Sequence, residues 1–449
     1  MAHATPRRQV TKSAFGAQLA RLLPRRQLAA ICARHAPVPR TAPQLSAAQL
    51  VEGLVYHQLQ PAGPLGQHAA ELHGVKLSES AHAQRRQGLP FALFEEVMTA
   101  ALRPLADATR QPECFFHGWR VVGLDGTEWS VTNTPAILAQ LPKAATRRFR
   151  AAFAKLRLVT AVELGVHHPL AAAVGPVARG EQTLAAELWA KLPDHTLVIL
   201  DRLFGSPATL WQALAAWQGR PMAFLARVKA NLKVAVIGRL ADGSAIVEVP
   251  VSLARRPVGT LRVREVRAAG TTADGRKFSL RFWTNLLDPT AVPAETLARH
   301  YVERWEQELY YRELKLDVRG SGVLASHTVE TALQELAALV LATAVVAQVR
   351  VAAAEGLGVP PRRVSFLKVL LATHQLWQSF AWAGGSLTPA QHRRIFAHYR
   401  QRLLATALLP ERRPRSCPRV LRQPASAWPR KLLQPSHHGR AVLLIVPLP

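Results

Sequence analysis

Acid is what this chain has least of. Of its 449 residues only 29 are Asp or Glu, against 57 Lys and Arg, giving a formal net charge of +28. No acidic residue occurs from Met1 to Val51, and none between Glu128 and Glu163. A field of that sign argues against a cationic partner and favours a polyanion, nucleic acid or an anionic surface. Cysteine is scarce too. Cys32, Cys114 and Cys417 stand far apart with no CxxC pair, which argues against a disulfide framework or zinc ribbon and for a reducing compartment. Long apolar runs are missing as well. The longest, Leu336 to Ala347, is closed by Gln348 and Arg350. It is too short to span a bilayer and reads as a buried helix, so no membrane partner is expected. The pairs His167-His168 and His437-His438 have no companions at metal-ligand spacing and read as surface.

What is present falls into blocks. Residues up to about 51 are basic, with an amphipathic piece around Phe15 to Ile31, a composition that a transit peptide and a DNA-contacting arm share; the rest of the chain favours the arm. From about 44 to 110 the chain reads as helices. Leu65 to His73, a turn at Gly74, then Ser78 to Gln87 has the proportions of a helix-turn-helix. Its second helix carries His82, Gln84, Arg85 and Arg86, side chains able to reach bases or phosphates. An ordinary helical bundle fits the same pattern, and the charge tips the choice.

At Trp119 the period changes to that of a strand. Trp119 to Val131 carries Asp125-Gly126 at the end of a buried run, and the same dipeptide could make a hairpin turn. A basic stretch follows, with Lys143, Arg147, Arg148, Arg150, Lys155 and Arg157. Two more strands (156–166 and 171–177) and a helix (181–192) lead to Leu197-Val198-Ile199-Leu200-Asp201, a fully apolar strand that also ends in aspartate. Asp201 could equally cap the helix expected around Pro207 to Trp217. From Asn231 to Thr284 the pattern is all β, with turns at Asp242-Gly243 and Asp274-Gly275. After Gly320 it is helical again, and from Arg393 to Arg440 strongly basic.

The stretch Tyr301 to Lys315 lacks Gly and Pro and is rich in helix formers. At about 100° per residue, Tyr301, Arg304, Glu308 and Lys315 fall in one sector of about 60°. Val302, Trp305, Leu309 and Leu316 form an apolar stripe beside it, expected to dock on a core, while Glu303, Glu306 and Glu313 point elsewhere. Two aspartates at strand ends and one glutamate on a later helix make an oxygen-only donor set suited to Mg²⁺. Two such ions about 3.5–4 Å apart stabilise both attacking and leaving oxygens of a phosphodiester displacement.

The spacing Tyr301-x2-Arg304-x3-Glu308-x6-Lys315 resembles the Tyr-Arg-Glu-Lys signature of bacterial insertion-sequence transposases of the "insertion sequence four" group. These are DDE transposases with a ribonuclease-H-like core. The flanks Thr284-Asn285-Leu286-Leu287-Asp288-Pro289 and Arg312-Glu313-Leu314-Lys315 agree, and Asp125-Gly126 and Asp201-Arg202 look like the first two acids. One departure is Leu203-Phe204, where relatives commonly carry Gly and an aromatic residue. The resemblance covers roughly residues 45 to 350.

It implies an α/β protein: a ribonuclease-H-like mixed sheet flanked by helices, with an inserted β subdomain, an N-terminal helical DNA-binding domain and a C-terminal helical region. The expected domains are an end-binding domain with basic arm (1–115), the catalytic core (116–230 and 285–325), the β insertion (231–284) and a dimerising helical region with basic tail (326–449). The implied activity is cut-and-paste transposition in the bacterial cytoplasm, on the nucleoid. Asp125, Asp201 and Glu308 would hold two Mg²⁺ ions, with Mn²⁺ able to substitute. Tyr301, Arg304 and Lys315 would hold phosphates, and Arg85, Arg86, Arg147, Arg148 and Arg150 would contact DNA. The implied partners are double-stranded DNA, as transposon ends and target, and a second copy in a homodimeric synaptic complex. Relatives also flip a base, on which Trp283 could stack, whereas Trp305 reads as core. The rival readings are a ribonuclease-H-like nuclease without strand transfer and a catalytically silent, transposase-derived DNA-binding protein.

Overall fold

The computed structural model describes residues 15–36, 44–75, 77–144, 151–272, 275–320, 322–383, 387–411 and 442–446. Contacts divide the chain into two compact units, Met1–Pro193 with Trp305–Leu409, and Asp194–Arg304 with Pro410–Pro449. Each mixes helix and sheet, as an α/β protein should.

In the first unit, β1 (Phe115–Phe116), β2 (Trp119–Val131), β3 (Ala154–Glu163) and β4 (His168–Pro176) form an antiparallel sheet in which β3 lies between β2 and β4. The short strand Val323–Leu324 adds to β2 in parallel. β4 is buried along almost its whole length, as its apolar sequence requires. Asp125-Gly126 is not a turn. β2 runs through it as one 13-residue strand, with Asp125 opposite Thr160 and Gly126 opposite Val159. Asp125 is therefore mid-strand rather than at a strand end.

Helices α1 (Leu65–His73) and α2 (Glu79–Gln87) occupy the expected spans. Gly74 ends α1 in the left-handed region, φ 75°, where glycine carries no Cβ penalty. Ser78 caps α2 by accepting from the Ala81 amide. The face expected to meet DNA is otherwise engaged. His82 is buried, Arg85 donates to the Leu45 carbonyl, and Arg86 donates to Gln334, Ser326 and the Thr331 carbonyl. Those Arg86 partners lie some 240 residues further along the chain, beyond any local pattern. The described part of the basic arm is also core. Phe15, Leu19, Leu22, Leu28 and Ile31 are buried, and the Phe15 ring packs edge-on against Tyr56 and Trp377.

The organising stretch is helical throughout but in three forms: 3₁₀ over Tyr301–Arg304, α over Trp305–Arg312 (α3) and π over Glu313–Val318. A wheel of fixed pitch does not apply across such changes. The later apolar run lies in α4 (Val329–Leu357), begun by a Thr328 capping box and ended at left-handed Gly358. By length and hydropathy α4 could cross a membrane, yet 83% of its apolar window is buried inside the protein. It is a core helix.

In the second unit, β5 (Thr196–Leu200) pairs in parallel with β6 (Met222–Arg227), and the helix Pro207–Ala216 connects them. The strands expected as a β insertion are β7 (Ala235–Arg239), β8 (Ala245–Leu253), β9 (Arg256–Thr271) and β10 (Lys277–Thr284). They continue the same sheet, because β10 pairs with β6, and the order is β5-β6-β10-β9-β8-β7. The strand Val442–Ile445 also pairs with β9. The expected Asp274, Cys417, His437 and His438, together with the basic tail from Arg412 to Arg440, lie outside the described residues.

Two buried polar residues staple this sheet. Arg264 donates to the carbonyls of Leu286, Asp288 and Val292 and pairs with Asp242, which also accepts from the Ala294 amide. That fixes the linker leading into the helix Ala294–His300. Glu265 accepts from Arg267, Arg281 and the Trp283 indole.

Candidate active site

The first unit brings Asp125 and the Glu308 helix to one strand. α3 packs on β2, over the face to which Gly123, Asp125, Thr127 and Trp129 point by strand alternation. Gly123 leaves room there: a Cβ would stand 2.7 Å from a Leu164 methyl and 2.8 Å from the Gln307 side-chain oxygen, so those side-chain ends would have to shift. Gln307 donates to Thr160, the residue opposite Asp125, at 3.0 Å. The Tyr311 hydroxyl donates to the Asp125 carbonyl, and the Thr160 hydroxyl donates to Tyr311 at 2.9 Å. Burial holds the Tyr311 phenol well above its ordinary value, so it stays a neutral donor. Lys315, in the π-helical turn, donates to the Glu128 carbonyl at 3.0 Å and stands over the Trp129 ring at 5.4 Å. Gln307, Tyr311 and Lys315 recur every four residues, so one helix face follows β2 past Asp125. Asp125 and Glu308 are both half-buried.

Burial lowers the Lys315 ammonium from its ordinary value, and Glu128 opposes that shift. Glu128 is itself held below the usual carboxylate range by Lys155, then Arg157, at 2.7 and 2.9 Å. Two cations of the basic stretch are thus paired within the fold. Arg147, Arg148 and Arg150 lie outside the described residues.

The buried face of the helix is not the one hydropathy suggests. Val302, Trp305 and Leu316 are 69%, 47% and 62% exposed, whereas Glu306, Gln307, Tyr310, Tyr311, Glu313 and Leu314 are buried. Beside the buried Tyr310, Leu314 and Val318, that face carries a polar cluster. His167, expected at the surface, is buried in the turn between β3 and β4. One ring nitrogen meets Glu306 at 2.9 Å and the other Glu313 at 2.8 Å, and Arg350 of α4 reaches Glu313 at 3.3 Å. Burial alone would lower the His167 pKa, but Glu313 and Glu306 outweigh it and the net shift is upward. Burial would raise Glu313, yet His167 and Arg350 bring it below its ordinary value. His168, with no such carboxylates, is pushed down to about 4 by burial. The signal available in the sequence was the seven-residue spacing of Glu306 and Glu313, two helical turns on one face.

In the second unit, Asp201 directly follows the fully buried β5. Its Oδ1 accepts from the amides of Leu203 at 2.7 Å and Phe204 at 3.3 Å, an Asx turn. It does not cap the next helix; Ser206 does. A Cβ at Gly205 would fall 2.0 Å from the Arg227 carbonyl oxygen, so this loop closes only with glycine there. Tyr301 lays its ring on Phe282 at 4.7 Å, and Arg304 is half-buried. Trp283, which could have stacked on a base, is fully buried and bonded to Glu265, while Trp305, read as core, is exposed. Among the described residues no group of three or more His, Cys, Asp or Glu stands together so as to hold a metal ion. The donor chemistry of Asp125, Asp201 and Glu308 fits a hard divalent cation.

In the first unit an aspartate-bearing strand thus has a glutamate-bearing helix laid along it. Residues 118–345 match the family described as "Transposase DDE domain", half of the chain, and the chain belongs to that family. It is a DDE transposase of the insertion-sequence-four kind, a nucleotidyl-transfer enzyme that acts on DNA. The chain is 26% identical over 357 residues to "Transposase InsG for insertion sequence element IS4" of Escherichia coli (strain K12), covering 79% of this chain and 78% of that protein. A solved structure, the piggyBac transposase synaptic complex with hairpin DNA, aligns with 91% of this chain and 86% of its own at TM-score 0.43 and 8% identity.

Proposed function

We propose that the chain binds the terminal inverted repeats of its insertion sequence and moves the element by metal-dependent cleavage and strand transfer. Asp125, Asp201 and Glu308 hold the metal ions, two Mg²⁺ or Mn²⁺, on a ribonuclease-H-like core. The ions supply charge stabilisation for the attacking and leaving oxygens of the phosphodiester. Tyr301, Arg304 and Lys315 hold phosphates of the DNA end, Arg304 as a planar fork and Lys315 as a point charge. Lys315 uses one of its three donors on the Glu128 carbonyl, which fixes the ammonium beside the strand that carries Asp125. The helical residues before 116 bind the ends, Arg147, Arg148 and Arg150 add phosphate contacts, and two copies form the synaptic complex in the bacterial cytoplasm.

The observation that carries this reading is the seating of the Glu308 helix along β2, with Tyr311 bonded to the Asp125 carbonyl itself. The test uses a DNA duplex ending in the inverted repeat that flanks the gene. With Mg²⁺ the protein should cut at the repeat and join the freed 3′ end to a second duplex. Cutting without joining would favour the nuclease reading. Binding without cutting, in the presence of either metal, would favour the silent DNA-binding protein.

A further inference from the structure

We propose that His167 and Arg350 are positioning residues, fixing through Glu306 and Glu313 the register of the helix that carries Glu308 and Lys315. This rests on the reading of those two as active-site residues. Glu306 and Glu313 lie two turns apart and bracket Glu308. A single buried ring takes one carboxylate on each nitrogen, His167 Nε2 to Glu306 and Nδ1 to Glu313. The turn holds His167 at φ 52°, a left-handed conformation uncommon outside glycine, so the chain accepts local strain to place the ring there.

Arg350 ties the same cluster to α4. Its Nε donates to the carbonyls of Pro361 and Val364, and its Nη1 to Glu313. A second guanidinium, Arg362, stands 3.7 Å from Glu306. An apolar helix face tolerates rotation and sliding, because dispersion has no direction. Two carboxylates on opposite nitrogens of one ring do not, since a one-residue slip removes both partners from the donors. Glu313 is also the first residue of the π turn in which Lys315 sits. Pinning Glu313 therefore sets where the widened turn begins and so where the Lys315 ammonium falls over Trp129. π turns recur at functional sites for this kind of reason.

The experiment uses the full chain and the same terminal-repeat duplex. Glu306→Gln keeps an acceptor for His167 Nε2 and should cleave near the wild-type rate. The double variant His167→Phe with Glu306→Leu removes the pin while leaving burial and the Glu313–Arg350 pair. It should melt near the wild-type temperature and bind the end normally. Cleavage per folded molecule should fall about tenfold or more, the scale of loss from a slightly misplaced catalytic group. It should also need more Mg²⁺ for half-maximal rate. Without metal or DNA, amide exchange over residues 305–318 should accelerate in the double variant and stay slow in Glu306→Gln. Wild-type rate, Mg²⁺ dependence and exchange in the double variant would overturn the proposal, leaving the cluster a stability feature. If the double variant does not fold, exchange in the unmodified protein decides. Amides of 305–318 that exchange faster than those of β4 contradict a pinned helix, and equally slow ones support it. A Glu308→Ala control that still cleaves would instead overturn the active-site reading, without touching the exchange result.

Discussion

The two faces of the segment from Tyr301 to Val318 are opposite in character to what their residues suggest. The side that carries Val302, Trp305 and Leu316 is exposed, and the side that carries Glu306, Gln307, Tyr311 and Glu313 is buried. Ordinarily an apolar stripe marks the docking face of a helix. Here docking joins the buried Tyr310, Leu314 and Val318 to directed polar contacts: Gln307 to Thr160, Tyr311 to the Asp125 carbonyl, and two glutamates to one histidine. If that helix presents Glu308 and Lys315 to DNA, as proposed, a fixed register serves it better than a freely sliding apolar seam.

The sharpest break of this comparison sets Glu308 against Glu313. Glu308→Ala should abolish cleavage and leave the melting temperature unchanged. Glu313→Ala leaves the buried His167 ring and Arg350 guanidinium without their shared carboxylate and should cost about 3–5 kcal/mol of stability. Calorimetry beside single-turnover cleavage reads both. The reverse pattern would mean that Glu308 holds the fold.

Arg304 comes next. A charge-assisted bond to phosphate is worth about 1.5–3 kcal/mol, so Arg304→Ala should slow cleavage by about one to two orders of magnitude. Arg304→Lys keeps the charge but not the fork and should keep part of the rate. A lowered melting temperature with normal cleavage by the folded fraction would assign Arg304 to the fold instead.

A smaller effect separates the faces by stability alone. Tyr311→Phe removes a buried hydroxyl that bonds Asp125 and Thr160 and should cost about 1 kcal/mol, whereas Trp305→Ala should stay within about 0.5 kcal/mol, as exposed substitutions do. Equal losses in urea melts would erase the distinction between the faces.

The smallest effect sharpens the contrast between adjacent histidines. The His167 pKa is raised in the folded state, so its stabilisation is complete below the ordinary value of 6.5 and fades as pH rises through the raised one. His168 is lowered to about 4, so its neutral burial costs nothing above 6.5 and weakens the fold as pH falls from there toward 4. His57, lowered to about 4 chiefly by burial, adds to the acid-side loss. Replacing His168 with Gln should flatten the acid limb of a stability–pH curve, and His167→Gln the alkaline limb. One limb changing for both would refute the opposed signs.

Much of the architecture was legible in the sequence because local rules decide it. Gly74 and Ser78 bound α1 and α2 as expected, and the alternating runs from Ala235 to Thr284 became β7 to β10. The three acids and the Tyr-Arg-Glu-Lys spacing led to the correct family. What local rules do not decide was missed. Hydropathy could not reveal that a histidine between β3 and β4 would draw Glu306 and Glu313 inward. Nor could it reveal that Arg86 would find partners near Gln334, or that β10 would join β6 and absorb the β insertion into an existing sheet. Trp119 to Val131 formed one strand as read, but Asp125 lies within it rather than at its end, because the apolar and β-branched residues on both sides kept β2 continuous.

The most direct test of the account is Mg²⁺-dependent single-turnover cleavage of the terminal-repeat duplex by Glu308→Ala, a variant that should fold and bind the end like the unmodified protein. The account predicts no cut product at any Mg²⁺ or Mn²⁺ concentration. Nicking at the repeat by that variant would contradict it.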